Sequence, residues 1–279
     1  MPELPEVETI RQTLHPLLMG TTITQAVGSS KLADLVPNQD SRTLLASLTG
    51  RRIVGTGRRG KFLLLFLDDH RIFLVHFGMT GVLVLNPAIG LPSSHTHLYL
   101  TLDDSRVLRY YDPRRFGRLA VLTPEAYAEL DRRLGVEPLD PQLTAERLAA
   151  RITRHRRALK ATLLDQHVIA GIGNIYADEI LFAARLHPCT PSERLGLAES
   201  ERLLHAMRAV LTNAITRHGT TFRDYRDGLG KPGTNQYTLQ VYGRSPGAPC
   251  YHCGSPLQQM IVAGRTTTYC PTCQPLPAS

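Results

Sequence analysis

The stretch KFLLLFLDDHRIFLVHF (residues 61–77) holds two short runs of apolar and aromatic residues on either side of the polar tripeptide DDH. Short runs of this composition joined by turn residues predict two β-strands with a turn between them. Two further runs, RVLRYYD (106–112) and RLAVL (118–122), flank the segment PRRFG (113–117). Because residues 21–135 contain several such runs and few helical stretches, we expect a β-sandwich.

The sequence opens with MPELPEVETI (1–10), and residues 5–19 are predicted to form a helix. Pro5 suits the first helical position, and Gly20 can end the helix. The apolar stripe of this helix consists of Leu4, Val7, Ile10, Leu14 and Leu18. Three carboxylates, Glu3, Glu6 and Glu8, also lie in the first eight positions. Helix capping alone can explain acidic residues in a first turn, so a further role needs other support.

Beyond residue 135 the apolar residues follow a helical spacing. The segment GVEPLDPQL (135–143), with two prolines, is predicted to be a linker. Two helices are predicted after it by the spacing of Ala177, Ile180, Leu181 and Ala184, and of Leu203, Met207, Val210 and Ala214. The polar, glycine-rich segment RDYRDGLGKPGTNQ (223–236) has almost nothing to pack and is predicted to be a mobile loop. These patterns predict an α+β protein.

The chain has 279 residues and a formal net charge of +8, and its 32 basic residues are 28 arginines and 4 lysines. Arginine provides planar, always charged donors that suit phosphate. The basic residues cluster at 51–61, 114–118 and 147–160. High genomic GC content also enriches arginine, and a charge run is more often a solvated face. Three clusters with few interspersed acids nevertheless favour a nucleic-acid partner.

The longest unbroken apolar runs are far too short to span a bilayer. The acidic start of the chain also lacks the apolar segment of a secretory signal. We therefore expect a soluble, intracellular protein.

Four of the five cysteines form two C-x-x-C pairs, CYHC (250–253) and CPTC (270–273). This spacing predicts a structural zinc site with Cys250, Cys253, Cys270 and Cys273 as ligands and a β-hairpin between the pairs. The alternatives are disulfides, which are rare in the cytosol, and a redox role, which needs only one pair. Four thiolates close the tetrahedron, so the metal would fold the hairpin and do no chemistry. Cys189 is most simply a small buried hydrophobe.

The chain is similar to a known family through several stretches and the cysteine quartet. These stretches are MPELPEVET (1–9), GRRGKFLLL (57–65), HFGMTG (76–81), YDPRRFG (111–117), GIGNIYADEILF (171–182) and GKPG with LQVYGR (230–244). The sequence resembles the bacterial formamidopyrimidine-DNA glycosylases, and the spacing of the motifs holds from Pro2 to Cys273. The related endonuclease VIII-type enzymes share the N-terminal proline and glutamate. They typically have glycine where this chain has Leu4 and lack the LPEVET wording, so the first group is the better match.

The resemblance implies five segments in the fold. They are an N-terminal β-sandwich with an N-terminal helix (1–135), a linker (136–142), a helix–two-turn–helix domain (143–222), a lesion-capping loop with its connection (223–243) and a zinc-finger hairpin (244–279).

The start of the chain has a chemistry that fits this resemblance. Removal of Met1 would leave Pro2 with a free secondary amine, whose ordinary pKa lies near 8 and is lowered by the positive end of a helix dipole. A secondary amine that attacks the anomeric carbon of a sugar forms an iminium ion, which acts as an electron sink for elimination of the phosphates. Glu3 is available as a general acid on the sugar ring oxygen, and Glu6 can orient the amine or the chain start by hydrogen bonds.

By resemblance, Pro2 is the Schiff-base nucleophile and Glu3 the proton donor that opens the sugar. Lys61 corresponds to the lysine that assists β-elimination, although a lysine in a β run is otherwise most simply a surface residue. Arg265 corresponds to the arginine on the zinc hairpin that assists δ-elimination. Composition alone would make it a solvent-facing side chain.

Excision of a base from duplex DNA requires that the nucleotide be flipped out of the helix and the gap filled. Met79 and Phe116 match the void-filling and wedging side chains of the family, and Arg114 matches the residue that pairs with the orphaned base. Residue type alone would favour core packing for Met79 and Phe116.

The remaining matched positions contact the DNA backbone. These are His95, Arg156 and Asn174, the last in the GIGN stretch (171–174) between two helices. Where relatives have lysine-histidine-aspartate-histidine around His95, this chain has SHTH (94–97), which weakens the local phosphate contact. In TRHRRALK (153–160) the contact can also shift between Arg156 and Arg157.

The sequence therefore predicts a bifunctional DNA glycosylase and abasic-site lyase of base excision repair. It would excise oxidised purines such as 8-oxoguanine and formamidopyrimidines from duplex DNA and then cut the strand by β,δ-elimination. One structural zinc ion, no diffusible cofactor, a monomeric state and a bacterial cytoplasmic location are expected. Two alternatives are an endonuclease VIII-like glycosylase for oxidised pyrimidines and a catalytically silent protein that binds damaged DNA.

Overall fold

The computed structural model of the protein describes residues 2–37, 39–85 and 92–276. The chain divides into two compact units, the first consisting of Met1–Arg133 with Ile215–Gln236 and the second of Leu134–Ala214 with Tyr237–Ser279. Among the described residues, none of the helices has the length and apolar composition needed to cross a membrane.

Within the described residues, the first unit consists of strands with three α-helices. In chain order they are α1 (Leu4–Leu18), β1 (Ile23–Gly28), α2 (Ser41–Leu48), β2 (Ile53–Arg59), β3 (Phe62–Leu67), β4 (Ile72–His76), β5 (Val82–Leu85), β6 (Thr96–Leu102), β7 (Val107–Tyr111), β8 (Arg118–Leu122) and α3 (Pro124–Arg133). Short 3₁₀ turns lie at Leu32–Leu35 and Ser93–His95. The predicted N-terminal helix is thus confirmed, with its first residue at Leu4.

The strands form two antiparallel sheets in the orders β1-β6-β7-β5 and β2-β3-β4-β8. The hairpin predicted from residues 61–77 is confirmed: β3 pairs with β4, with Phe62 opposite His76 and Phe66 opposite Ile72. Strands β7 and β8 belong to different sheets. The PRRFG segment between them therefore connects the two sheets.

One apolar core contains side chains from both sheets and from α1. Of the five residues of the predicted stripe, Val7, Ile10, Leu14 and Leu18 lie in this core, and all five, including Leu4, are fully buried. Full burial of such a side chain contributes about 1.5–3 kcal/mol. Packing of the stripe therefore holds α1 more strongly than intrinsic helix propensity does.

The run FLLLFL (62–67) is apolar at every position because both faces of β3 are covered. Leu63 and Leu65 lie in the shared core. Leu64, on the opposite face, belongs to a separate cluster with Tyr127 and Leu130 of α3. A strand that is buried on both faces loses the apolar–polar alternation of a half-exposed strand.

Helices α2 and α3 lie within the region for which few helical stretches are expected. Helix α2 has an N-cap signal in the sequence, because the Asp40 carboxylate accepts the backbone N–H groups of Arg42 (3.1 Å) and Thr43 (3.3 Å). A strong cap directly before a short amphipathic run was therefore the signal for this helix.

The second unit consists of helices and a hairpin. Its elements are α4 (Ala145–Ile152), α5 (Leu159–Leu164), α6 (Asn174–Ala184), α7 (Leu197–Thr216, the last two residues belonging to the first unit), β9 (Gln258–Val262) and β10 (Arg265–Tyr269). The two predicted helices correspond to α6 and α7. Strands β9 and β10 pair antiparallel, as predicted for the residues between the cysteine pairs.

The expectation that residues 223–236 have almost nothing to pack is wrong. The Tyr225 side chain is buried in the core of the first unit, and the Asp227 carboxylate accepts the N–H groups of Leu229 (2.9 Å) and Lys231 (2.8 Å). The carbonyl of Gly228 accepts the N–H of Leu85 in β5 (2.9 Å). The buried ring of Tyr225 and the turn around the Asp227 carboxylate thus hold this polar segment against the rest of the first unit.

Residue 78, between β4 and β5, has to be glycine because two turns approach each other closely at this position. Gly78 has a φ of +57°, and an added Cβ would collide with the Phe116 carbonyl group and lie 2.6 Å from the Gly117 nitrogen. We expect Gly78→Ala to destabilise the protein by about 1–3 kcal/mol beyond the cost of the positive φ. Urea unfolding measures the difference.

Gly20→Ala is the matched control, because Gly20 has a φ of +79° with nothing within 4 Å of the added Cβ. It should cost only about 1 kcal/mol, the penalty of the left-handed conformation. Equal destabilisation by the two substitutions would contradict the close approach at Gly78.

Candidate functional site

The start of α1 is held by reciprocal hydrogen bonds between two buried carboxylates and the backbone. Glu3 is the N-cap residue, and its side chain accepts the backbone N–H of Glu6. The Glu6 side chain in turn accepts the backbone N–H of Glu3 at 2.9 Å. This is a capping box. Pro2 directly precedes it and is also buried, so the box fixes the position of the residue that the sequence predicts as the nucleophile.

The second oxygen of the Glu6 carboxylate binds the segment that follows α7. It accepts the backbone N–H of Thr220 at 2.8 Å. The hydroxyl of Tyr225 donates to the Glu6 carbonyl oxygen at 3.4 Å. Glu6 therefore connects the chain start to residues 220–225, which explains why it is a carboxylate beyond its role in capping.

Lys61 lies in the tight turn between β2 and β3 and is only 7% exposed. Gly60, the residue before it, has a φ of +53°. His76 faces this turn from β4. Burial, together with the positive charges of Lys61 and Arg118, lowers the pKa of His76 to about 4. His76 is therefore neutral at pH 7, and its Nδ1 accepts the Gly78 N–H at 3.3 Å.

The structure brings Met79, Arg114 and Phe116 onto two adjacent turns. Met79 is 41% exposed and Phe116 49% exposed, so neither is a core residue. The Arg114 guanidinium carbon lies 4.5 Å from the centre of the Phe116 ring, a cation–π contact. Exposed apolar side chains that lie together can form a contact surface for a partner.

Asp112 joins these two turns and was missed in the sequence. Its buried carboxylate accepts the Thr80 hydroxyl at 2.6 Å and the Gly117 N–H at 2.8 Å. Its backbone N–H donates to the carbonyl of His95 at 2.9 Å. The sequence signal, an aspartate directly before a Pro-Arg-Arg turn, carries no information about the partner on the other turn.

The two histidines of the SHTH stretch have different environments. His95 is half-buried at the end of the Ser93–His95 turn, with its ring edge-on to Tyr111 at 5.9 Å. His97 is fully buried between the Ser29 hydroxyl (2.9 Å) and the Asp112 carbonyl (3.0 Å). Burial lowers the pKa of His97. His95 is thus the one that can meet a ligand, and His97 supports the Asp112 turn.

In the second unit, Asn174 is the first residue of α6, directly after the GIGN glycines. Its Nδ2 donates to the carbonyl of Thr266 in β10 at 3.2 Å. The GIGN turn is held by Gln166, whose side chain accepts the Gly171 N–H (2.9 Å) and donates to the Ile172 carbonyl (2.8 Å). Because Gln166 hydrogen-bonds to backbone groups of this glycine-containing turn, the backbone at the start of α6 is well ordered.

Arg156 and Arg157 are both exposed but differ in their contacts. The Arg157 guanidinium lies 2.6 Å from the Asp165 carboxylate and 3.2 Å from the Thr162 hydroxyl. Arg157 is therefore engaged in contacts within the chain.

Lys160 does not belong to the exposed basic cluster to which its position in the sequence assigned it. Its side chain is fully buried, with Nζ 2.6 Å from the Asp178 carboxylate. Nζ also donates to the Thr266 carbonyl (3.1 Å) and to the Thr267 hydroxyl (2.7 Å). The expectation failed because a lysine beside arginines on a short helix can face inward when a carboxylate on the next helix pairs with it.

The Lys160–Asp178 pair fixes β10 against α5 and α6. The second oxygen of Asp178 accepts the Thr268 N–H at 3.2 Å. Burial raises the pKa of Asp178 to about 6, against the opposing effect of the Lys160 charge. The neighbouring Glu179 accepts the N–H groups of residues 240–242 at 2.8–2.9 Å. Two adjacent acids on α6 thus hold both sides of the zinc-binding segment.

The four cysteines predicted as metal ligands converge. All four sulfur atoms lie within 4.8 Å of one another. Cys250 Sγ is 3.9 Å from Cys273 Sγ, and Cys253 Sγ is 3.5 Å from Cys270 Sγ. Tetrahedral zinc with Zn–S bonds of about 2.3 Å requires S···S distances of about 3.8 Å, so the quartet fits zinc. Cys189 is half-buried and lies apart, with its sulfur 3.3 Å from Met260 Sδ.

Arg265 is exposed at the tip of the hairpin, as the first residue of β10. Ala263 and Gly264 before it have φ values of +50° and +69°, the pattern of a type I′ turn.

The predicted site residues are divided between the two units. The first unit carries Pro2, Glu3, Glu6, Lys61, Met79, His95, Arg114 and Phe116, and the second carries Arg156, Asn174, Arg265 and the cysteines.

We expect Lys160→Met to destabilise the protein by about 3–5 kcal/mol, because it leaves the Asp178 carboxylate buried without its counter-ion. The double substitution Lys160→Met with Asp178→Leu should recover most of this loss, since an apolar pair of similar volume replaces the ion pair. Arg157→Met, which breaks an exposed pair on the same segment, should cost less than about 1 kcal/mol. Urea unfolding measures all three, and equal effects of the two single substitutions would refute the burial of the pair.

The chain matches three family models. Residues 1–119 match the formamidopyrimidine-DNA glycosylase N-terminal domain, and residues 134–226 match the formamidopyrimidine-DNA glycosylase H2TH domain. Residues 247–276 match a zinc finger found in FPG and IleRS. The cysteine quartet is therefore the site of one structural zinc ion, as its geometry indicates.

Relatives and solved structures agree with these matches. The formamidopyrimidine-DNA glycosylase of Thermomicrobium roseum is 47% identical over 99% of this chain and all of its own length. That of Herpetosiphon aurantiacus is 42% identical over 98% of this chain and all of its own length.

Among solved structures, the MutM (FPG) protein of Thermus thermophilus superposes with a TM-score of 0.86 at 43% identity over 99% of this chain and all of its own. A Lactococcus lactis FPG mutant in complex with Fapy-dG containing DNA superposes with a TM-score of 0.89 at 32% identity over 98% of this chain and all of its own. The chain belongs to the formamidopyrimidine-DNA glycosylase family.

Proposed function

We propose that the protein is a bifunctional DNA glycosylase and abasic-site lyase that removes oxidised purines, such as 8-oxoguanine and formamidopyrimidines, from duplex DNA. The observation that carries the proposal is a buried proline, Pro2, fixed directly before the capping box of α1 in a chain that is similar to this family over its full length. The Fapy-dG and abasic-site DNA complexes of the Lactococcus lactis protein support the choice of substrate.

The reaction begins at the nitrogen of Pro2, once Met1, which lies outside the described residues, has been removed. The helix start favours the neutral amine. The amine attacks C1′ of the flipped nucleotide, the base leaves with a proton, and an iminium ion forms between Pro2 and the opened sugar. The iminium draws electrons from the sugar, so the C2′ proton becomes acidic and the 3′-phosphate leaves, followed by the 5′-phosphate.

Glu3 acts as the general acid that protonates the ring oxygen as the sugar opens. Its backbone N–H is held by Glu6, so Glu6 sets the orientation of the residue next to the nucleophile. Lys61 assists the β-elimination step and Arg265 the δ-elimination step. The neutral imidazole of His76 lies beside Lys61 and is a further group near the first of these steps.

Met79, Phe116 and Arg114 occupy the space that the flipped nucleotide leaves in the duplex. Insertion of apolar side chains between base steps costs a few kcal/mol and kinks the DNA. Asp112 supports this role, because it joins the two turns that carry the three side chains. His95, Arg156 and Asn174 bind phosphates, and affinity is therefore expected to fall steeply with salt.

In this role the protein is a monomer in the bacterial cytoplasm, and the residues divide as the resemblance implies. Segment 1–135 supplies the nucleophile, 136–142 is a linker, 143–222 binds the DNA backbone, 223–243 includes the loop over the lesion, and 244–279 presents Arg265.

Borohydride reduction tests the nucleophile directly. With a duplex that contains an abasic site, Met-processed and zinc-loaded protein should form a covalent protein–DNA adduct, and peptide mapping should place it on Pro2. A variant that retains its initiator methionine should form none. Full nicking activity in the variant that retains methionine would refute the mechanism. Failure of the processed protein to form an adduct would refute it as well. If that protein still bound DNA with normal affinity, the catalytically silent DNA-binding protein would be favoured.

Substrate choice is tested with two matched duplexes. Excision of 8-oxoguanine opposite cytosine should exceed excision of thymine glycol in single-turnover assays. The reverse order would favour the endonuclease VIII-like alternative.

Arg114→Ala should weaken discrimination among bases opposite the lesion, because the guanidinium that pairs with the orphaned base is gone. A change of about 1–3 kcal/mol, or roughly 5- to 150-fold, is expected in the ratio of kcat/KM for cytosine and adenine opposite 8-oxoguanine. Lysine retains the charge but not the two-pronged donor geometry, so Arg114→Lys should recover affinity more than discrimination. Unchanged discrimination in both variants would contradict the assignment.

A further inference from the structure

Arg58 lies near the end of β2, in the first of the three basic clusters that suggest a polyanion partner. The structure places its side chain inside, with only 10% of it exposed. Its Nε donates to the Glu8 carboxylate at 3.2 Å, and its Nη1 donates to the Gly60 carbonyl at 3.0 Å. The guanidinium therefore spans from α1 to the turn that precedes Lys61.

Glu8 is the third carboxylate at the chain start, and capping does not account for it. It is 13% exposed on α1. Arg11 holds it from the same helix, with donor distances of 2.6–3.1 Å. Burial favours the neutral carboxyl group, but the hydrogen bonds and charges of Arg11 and Arg58 outweigh it and lower the pKa of Glu8 below its ordinary value. Glu8 is thus a charged, fixed acceptor at neutral pH.

The carbonyl that Arg58 binds belongs to the peptide group between Gly60 and Lys61. A peptide group is planar, so the direction of this carbonyl also sets the direction of the Lys61 N–H and of the chain entering Lys61. Gly60 has a φ of +53°, and glycine adopts positive and negative φ about equally readily, so its own backbone does not fix this turn. Arg58 fixes it through its bond to Glu8 of α1, the helix that Glu3 caps.

We propose that Arg58 is a positioning residue, anchored by Glu8, that fixes the Lys61 turn relative to the start of α1, and that it is not a phosphate contact. The inference rests on the proposed function, in which Pro2 attacks the sugar and Lys61 assists the β-elimination that follows. A fixed relation between α1 and the turn places both groups for successive steps on one sugar.

The shape of the arginine side chain is essential to this role. Its planar group donates from Nε to one acceptor and from Nη1 to another at the same time, whereas a lysine ammonium is a single point on a flexible stem. Arg58→Lys therefore keeps the charge and loses the connection. If Arg58 bound a phosphate instead, Arg58→Lys would retain that contact, because an ammonium group also neutralises a phosphate.

The test compares Arg58→Lys with wild type in single-turnover reactions on an abasic-site duplex. The borohydride adduct reports attack by Pro2, and the cleaved strand reports β-elimination. We expect adduct formation to stay within about twofold while β-elimination slows by about 10- to 100-fold, the cost of misplacing a reacting group by a fraction of an ångström to one ångström. In Arg58→Met, which removes the charge, the dependence of log affinity on log salt should keep the wild-type slope, because Arg58 does not neutralise a phosphate.

Two further variants keep the result interpretable. Glu8→Gln retains an acceptor for Arg58 without the charge, so it should slow β-elimination by a smaller factor and serves if Arg58→Lys does not fold. Arg11→Met is the matched control, because it removes another partner of Glu8 and leaves both the Gln12–Glu8 bond and the Arg58–Gly60 bond. It should leave β-elimination within about twofold of wild type, and thermal unfolding checks that each variant is folded.

Three results would overturn the inference. Normal β-elimination in Arg58→Lys and Glu8→Gln would show that the connection is not needed. A salt slope that falls in magnitude by about 0.9 in Arg58→Met, which removes the charge, would mean that Arg58 neutralises one phosphate. An equal loss in Arg11→Met would point to general loosening of α1. If wild type itself forms no adduct, the proposed function fails and the inference fails with it, whereas a normal wild-type adduct confines any failure to Arg58.

Discussion

The buried carboxylate of Glu6 is the group on which the first unit depends. A buried polar atom is costly unless it is hydrogen-bonded, and both oxygens of this carboxylate have partners. One oxygen accepts the N–H of Glu3, and the other accepts the N–H of Thr220, which lies 214 residues further along the chain. The same group thus fixes the start of α1 and the return of the chain after α7. This explains why residues 215–236 belong to the first unit although the preceding helices belong to the second.

Features of the fold that depend on local patterns were predictable from the sequence. The stripe of α1, the β3–β4 hairpin and the four cysteines each follow from spacing along one segment, and each lies where it was expected. The packing of residues 223–236 was not predictable in this way. A single tyrosine in a polar, glycine-rich segment gives no periodic signal, and the partners that bury Tyr225 come from α1 and the sheets.

The candidate site shows the same division between local and long-range information. The resemblance supplied Met79 and Phe116 as candidate site residues, and the structure exposes both, whereas sequence reasoning alone favoured core packing. It did not supply Asp112 or Gln166, which hold the turns that carry candidate site residues. Their roles exist only because a second turn or a glycine N–H comes within hydrogen-bond distance in the folded chain, and no spacing rule along one segment expresses that contact.

The basic residues show most clearly what composition reports and what the fold decides. Arg58, Arg157 and Lys160 belong to clusters that suggested a polyanion, yet each is paired with a carboxylate, at Glu8, Asp165 and Asp178 respectively. Their charge counts in the net value of +8, but its field at the surface is largely cancelled by the partner within about 4 Å. Each pair also connects separate segments, so part of the arginine and lysine content serves to hold loops in place. Three exposed arginines, Arg114, Arg156 and Arg265, lie in loops or at the tip of the hairpin, where a side chain can reach a partner without first breaking an ion pair of this kind among the described residues.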